Sequence, residues 1–364
     1  MQKTKSEISK ILKEFDSKKH PFSKNFSKKL LMNFVLFLFV IILFIFFMEI
    51  SIRLFTDIKP DKEKTGNLLT FVQKLDNPEL GYELIPNKEG YEHGAKIKIN
   101  SHGLRDIEYS LKKPENTYRI AVIGDSITFG WGGVELNETY TKILEEILNN
   151  ESESNIEVLN FGVPGYVGSQ EFYVLKNKVL DFNPDLIIIG HYLNDPDKIW
   201  NLFETASKLP VPIKNFLAEK SYFYVWLREK ITRIKNKVGI IKFTPYKQLY
   251  EIESDYWINH KIRFQKMNEI SKEESISILV VLLPDWQNLD DTYIYKNETE
   301  LLNITIVESG LFSLDVFPKI KGLNPEDYKI TPEDVCHPNY KGHKLIAQII
   351  AERLEDPIFK IPRK

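Results

Sequence analysis

The sequence predicts an α/β protein: a three-layer α/β/α sandwich with a parallel sheet, preceded by one N-terminal transmembrane helix. Three observations carry this. Short, continuously apolar runs at 119–123, 157–160, 186–189, 276–283 and 312–316 read as strands. Helical patterns at 139–149, 169–181, 256–272 and 340–354 alternate with them. Strands that are apolar on both faces are covered on both faces, which points to a parallel sheet between helical layers joined by right-handed crossovers. Ahead of all this, residues 30–48 are apolar apart from Asn33. At about 1.5 Å per residue such a run spans about 28 Å, enough to cross a hydrocarbon core.

Taken in order, residues 1–29 form a basic tail and 30–55 a signal anchor. Residues 56–116 form a preface, and 117–364 the main domain with an insertion at 196–255. Seven lysines (Lys10, Lys13, Lys18, Lys19, Lys24, Lys28, Lys29) fall in the twenty residues before the apolar run, against Arg53, Lys59, Lys62 and Lys64 in the twenty after it. The positive-inside rule then places the N-terminus in the cytoplasm and the main domain outside. Cleavage as a signal peptide is disfavoured, because the apolar core runs on through Phe46, Phe47 and Met48 with no small-residue cut site. Alternation at Ile97 and Ile99 suggests a small strand or hairpin in the preface, followed by a turn from Asn100 to Gly103.

The insertion is long, aromatic and basic, with Tyr222, Phe223, Tyr224, Trp226, Arg228, Lys230, Arg233, Lys235 and Lys237. Insertions of this length are often lids or binding loops. Three readings stay open: a substrate platform beside Asn194, a helix resting on the bilayer surface, or an ordinary amphipathic helix packed on the sheet.

The chemistry is concentrated at strand ends. The first apolar strand stops at Gly124-Asp125-Ser126, which presents one hydroxyl where open α/β sheets place their sites. Near the C-terminus, Asp334 and His337 stand three apart on a loop before a helix. That spacing lets the carboxylate orient the imidazole while its other nitrogen takes a proton from Ser126. Between them, Gly162 and Asn194 each follow a strand-like run and offer a backbone amide and a side-chain amide to a developing oxyanion. Each motif alone is an ordinary turn signal. Together, in this order, they indicate acyl transfer.

Over roughly residues 117–355 the chain resembles the SGNH/GDSL hydrolase superfamily, whose sandwich is flavodoxin-like. Gly124-Asp125-Ser126, Gly162, Asn194-Asp195 and Asp334-x-x-His337 match its blocks. The resemblance implies Ser126 as nucleophile, His337 as base and Asp334 as its orienter. It also implies an oxyanion hole from the Ser126 and Gly162 amides and the Asn194 side chain. One position departs from the pattern: Tyr192 stands where the family's third block has glycine, and the nearest glycine, Gly190, comes two residues early.

The expected activity is therefore a membrane-anchored serine esterase acting on an O-acylated envelope glycan or a lipid. The alternative is an O-acyltransferase for a cell-envelope polysaccharide, supplied by a multi-spanning membrane partner. A glycan-binding subunit without turnover is the third reading, supported only by Tyr192. No cofactor is expected. No metal is expected either, since none of the seven histidines falls at ligand spacing. Nucleic-acid binding is disfavoured by 49 basic against 51 acidic residues. Cys336, the single cysteine, excludes an intramolecular disulfide and reads as a small buried residue beside the site.

Overall fold

The computed structural model describes residues 24–56, 68–199, 213, 216, 217, 220–238 and 245–364. The chain divides into two compact units, residues 1–60 with 220–237, and residues 61–219 with 238–364. Lys10, Lys13, Lys18, Lys19, Lys59, Lys62 and Lys64, on which the orientation argument rests, lie outside the described residues, as do 200–212 of the insertion.

The first unit contains α1 (Lys24–Phe55) and one helix of the insertion, α5 (Tyr222–Val238). Within α1 the span Lys28–Phe55 is long and apolar enough to cross a membrane, and its most apolar stretch has no buried residue. A core helix would bury one face; by length and composition this one fits a membrane anchor or a signal sequence.

The second unit begins with the preface, which folds into two antiparallel hairpins. β1 (Val72–Lys74) pairs with β2 (Tyr82–Leu84), and β3 (Glu89–Glu92) with β4 (Ala95–Lys98). In β4, Ala95 and Ile97 are buried while Lys96 and Lys98 are exposed, the alternation expected of a one-sided strand. The predicted turn is present, closed by Gly103 N–H donating to Asn100 O at 3.1 Å. The first hairpin escaped the sequence reading because strands of three residues are too short to show a period.

The main sheet has five parallel strands in the order β6-β5-β7-β8-β9. They are β5 (Thr117–Gly124), β6 (Asn155–Gly162), β7 (Leu186–His191), β8 (Ser277–Leu282) and β9 (Phe312–Asp315). Its helices are α2 (Ser126–Phe129), α3 (Tyr140–Glu151), α4 (Gly168–Val174), α6 (Asp255–Glu274), α7 (Lys296–Glu308) and α8 (Tyr340–Arg353). The chain steps one way from β5 to β6 and then reverses through β7, β8 and β9. Right-handed crossovers therefore place α3 on one face and α4, α6 and α7 on the other. α8 packs on α3, and α4 and α7 pack on α6. The reversal falls between β5 and β7, so the loops after these two strands flank the crevice where such sheets bind ligands.

All five predicted strands and all four predicted helices are present, and the one-turn α2 and the longer α7 are additions. Ile304-Thr305-Ile306-Val307 is β-branched throughout, which lowers helix propensity. Burial of Thr299, Leu302, Thr305 and Ile306 shows that helical spacing toward the sheet prevailed.

Candidate active site

β5 ends at Gly124, and the next residue starts a helix. Asp125 caps α2 by accepting Ile127 N–H at 2.8 Å, which puts Ser126 at the first helical position. An amide there has no acceptor within its own helix. The helix stops after one turn, because Gly130 at φ 82° takes the left-handed conformation that favours glycine.

Residues of the preface hold this turn, a contribution the sequence did not reveal. Arg105 is fully buried, and its Nη1 donates to Phe129 O at 2.8 Å and Gly130 O at 2.7 Å while Nη2 donates to Val134 O. Glu92 Oε2 accepts the Gly132 and Gly133 amides at 3.1 and 3.2 Å. From the neighbouring strand, Asn160 Nδ2 donates to Thr128 O at 2.8 Å. Thus the carbonyls freed where α2 ends are satisfied by side chains rather than by water.

His337 reaches Ser126 from the other end of the chain. Its Nε2 lies 2.9 Å from Ser126 Oγ, and its Nδ1 lies 2.9 and 3.1 Å from Asp334 Oδ2 and Oδ1. Asp334 Oδ1 also accepts the Cys336 and His337 amides at 3.0 and 2.9 Å. Burial pushes the Asp334 carboxyl up, but the bonds and charge from His337 outweigh it, so the acid sits below the usual carboxylate range. The loop itself is fixed by Trp286 N–H donating to Val335 O at 2.7 Å and by Asn339 capping α8. Ser126, His337 and Asp334 are therefore joined in one hydrogen-bonded chain at the sheet's C-terminal edge.

The other two predicted residues are placed at neighbouring strand ends, with their donors engaged. Gly162 is in register with Gly124, and an added Cβ would meet Thr128 C at 2.6 Å, so only glycine fits beneath α2. Its amide, expected to serve the oxyanion, donates to Asn160 Oδ1 at 2.9 Å. Asn194 follows β7, and its Nδ2 holds Tyr166 O at a long 3.4 Å while Oδ1 is buried without a hydrogen bond. Tyr192 takes the family's glycine position without disrupting the turn: its amide donates to Asp195 Oδ2 and its hydroxyl to Asp285 Oδ2, both at 3.2 Å.

The remaining polar residues near the site are structural. Burial pushes the Cys336 thiol up to about 12, too high for a thiolate nucleophile at neutral pH. His191 Nε2 lies 2.8 Å from His260 Nε2, and burial drives both imidazoles well below their ordinary value, keeping the pair neutral. His343 is buried between α8 and α3, accepting Tyr140 N–H at 3.2 Å. No group of three or more His, Cys, Asp or Glu able to hold a metal occurs among the described residues.

Behind Asn194 lies a buried pair of acids, Glu171 and Asp195. Burial first, and then the nearby Asp125 charge, raise Glu171 to about 8, and burial with the charges of Glu171 and Asp125 raises Asp195 well above its ordinary value. A carboxyl raised by folding is protonated in the native state while the unfolded chain is ionised. Its contribution to stability is thus lost progressively as pH rises from the usual carboxylate range through about 8. Glu171→Gln is expected to flatten that decline. In thermal melts from about pH 5 to about pH 8, the Tm of the variant relative to wild type should rise with pH. A difference that stays constant or falls would mean that Glu171 is ionised in the native protein.

An open parallel α/β sheet carrying a linked Ser, His and Asp at its strand ends is the arrangement of serine hydrolases. The model of the GDSL-like lipase/acylhydrolase family matches residues 120–350, and the chain belongs to this family of ester hydrolases. Solved structures with a similar trace include a lipase/acylhydrolase from Enterococcus faecalis, at 14% identity over 68% of this chain and 98% of that one, TM-score 0.40. Others are an acetyl xylan esterase, 14% identical over 65% and 99% of the two chains, TM-score 0.41, and a two-domain esterase active on acetylated mannans, 14% identical over 68% and 51%, TM-score 0.39. No curated protein sequence matches the chain.

Proposed function

We propose that the protein is a membrane-anchored serine esterase that removes an O-acyl group from an envelope glycan or a lipid on the outer side of the membrane. The observation that carries the reading is the unbroken chain from Ser126 Oγ through His337 to Asp334. In this mechanism Ser126 Oγ attacks the ester carbonyl while His337 Nε2 takes its proton. Collapse of the tetrahedral intermediate expels the alcohol, which leaves with that proton. Water then enters by the same route in reverse and releases the acid. The reaction needs no cofactor.

Ser126 N–H, at the open start of α2, is the first oxyanion donor. Asn194 Nδ2 is the second, since its 3.4 Å bond to Tyr166 O is weak enough to be exchanged for a charged oxygen. Gly162 N–H would contribute by sharing its proton between Asn160 Oδ1 and the oxyanion. Asn194→Ala is expected to lower kcat roughly 10²–10³-fold with little change in KM, because the bond is made in the transition state. A loss confined to KM would place Asn194 in ground-state binding instead.

The anchor and the outside location rest on the bare apolar length of α1 and on the lysine excess before it. The reading is tested by acetate release from p-nitrophenyl acetate by the full chain in detergent, with Ser126→Ala as control and with glycan acceptors added or left out. Serine-dependent hydrolysis indifferent to acceptor supports the esterase. Slow hydrolysis accompanied by acetylated sugar would instead make the protein an O-acyltransferase, fed by a multi-spanning membrane partner. Absence of any serine-dependent release would leave only glycan binding.

A further inference from the structure

We propose that α5 is a membrane-surface helix, latched by Glu49 to the end of the membrane-spanning helix and seated on the headgroups of anionic lipids. This rests on the reading of α1 as a membrane anchor.

The latch is built from both helices. Glu49 is the first charged residue after the apolar run, and its carboxylate accepts three donors at the start of α5. Oε2 takes Ser221 Oγ at 3.0 Å and Phe223 N–H at 2.9 Å, and Oε1 takes Tyr222 N–H at 3.0 Å. Ser221 Oγ in turn accepts Tyr224 N–H at 3.1 Å. One carboxylate thus caps the first turn of α5 and faces the positive end of its dipole. Arg53, one turn further along α1, donates to Glu49 Oε1 at 3.1 and 3.3 Å and holds its guanidinium 4.6 Å from the centre of the Tyr222 ring. Ile52 and Val225, on the faces that carry Glu49 and Tyr222, are both buried.

This geometry fixes depth. The apolar run ends at Met48, so Glu49 stands where the hydrocarbon ends and the interface begins. The first turn of α5, bonded to it, is held at the same level. Its opening residues are those that favour this level: Tyr222, Phe223, Tyr224 and Trp226, with Phe223 and Trp226 stacked at 6.2 Å. The rest of the helix carries Arg228, Lys230, Arg233, Lys235 and Lys237 against one acid, Glu229. Aromatic anchoring at one end and net positive charge along the remainder suit a bilayer surface bearing anionic headgroups.

The test uses the full chain reconstituted into phosphatidylcholine vesicles with and without phosphatidylglycerol, the acyl chains brominated to quench nearby tryptophan. Flotation at alkaline pH comes first and examines the anchor alone; a chain that fails to float overturns the anchor reading before α5 is probed. In floating protein, Trp226→Phe should remove a measurable share of the quenching, and Glu49→Ala should at least halve the Trp226-dependent part. That part should also be larger in the vesicles containing phosphatidylglycerol. Hydrolysis of p-nitrophenyl acetate, unchanged in both variants, shows that each is folded. Quenching unaffected by Trp226→Phe overturns the surface helix, and quenching unaffected by Glu49→Ala overturns the latch. Equal quenching with and without phosphatidylglycerol overturns the headgroup assignment. Quenching that appears only when a second membrane protein is co-reconstituted would assign α5 to a protein partner and overturn the proposal.

Discussion

Ser126→Ala is expected to reduce kcat for p-nitrophenyl acetate by roughly 10⁴–10⁶-fold, with no loss of thermal stability. The size follows from what the hydroxyl does. Without Oγ there is no covalent intermediate, and His337 has no proton to accept, so the histidine and aspartate lose their function together. What remains is binding and the oxyanion donors. Stability should hold because the hydroxyl's one hydrogen bond is to a half-buried imidazole, and alanine suits the first turn of a helix. The cap that starts this helix belongs to Asp125 and is untouched. The measurement is a steady-state titration with a melt on the same sample. Equal turnover in variant and wild type would remove Ser126 from the chemistry, whereas a lower Tm would show the hydroxyl to be structural.

The site was legible where chemistry and local backbone coincide. A strand that ends in Gly-Asp-Ser, and an Asp three residues before a His, are short-range patterns, and short-range patterns survive folding. The five sheet strands were legible for a related reason: runs such as Leu186 to Ile189 are apolar on both faces whatever surrounds them. What stayed hidden depends on residues far apart in sequence. Arg105 lies 24 residues before Phe129, and nothing near it marks it as the donor that closes α2. Asn160 lies two residues before Gly162 and looks like any polar residue at a strand end, yet it accepts the amide expected to serve the oxyanion. Tyr192 departs from the family pattern, and only the fold shows Asp285, 93 residues away, as the partner of its hydroxyl. Glu49 reads as the charge that ends an apolar helix, and only the fold shows it capping a helix 172 residues later.

Asp334→Asn is expected to lower kcat by roughly 10⁴-fold while leaving KM and the loop conformation nearly unchanged. The geometry dictates how. Oδ1 of Asp334 accepts two backbone amides, from Cys336 and His337, so an asparagine must place its oxygen there. Its NH₂ then occupies the position of Oδ2, 2.9 Å from His337 Nδ1, and donates to that nitrogen. The imidazole responds by carrying its proton on Nε2, the nitrogen that faces Ser126 Oγ at 2.9 Å. In that tautomer the base presents a proton where it must accept one, and no rotation of the side chain restores both contacts. Asp334→Ala removes the carboxylate without imposing a tautomer, and it gives up the two amide bonds as well. The asparagine variant should therefore be the more stable of the two, yet no more active. If it instead retained most of the wild-type rate, Asp334 would be serving the loop through its amide bonds and not the imidazole.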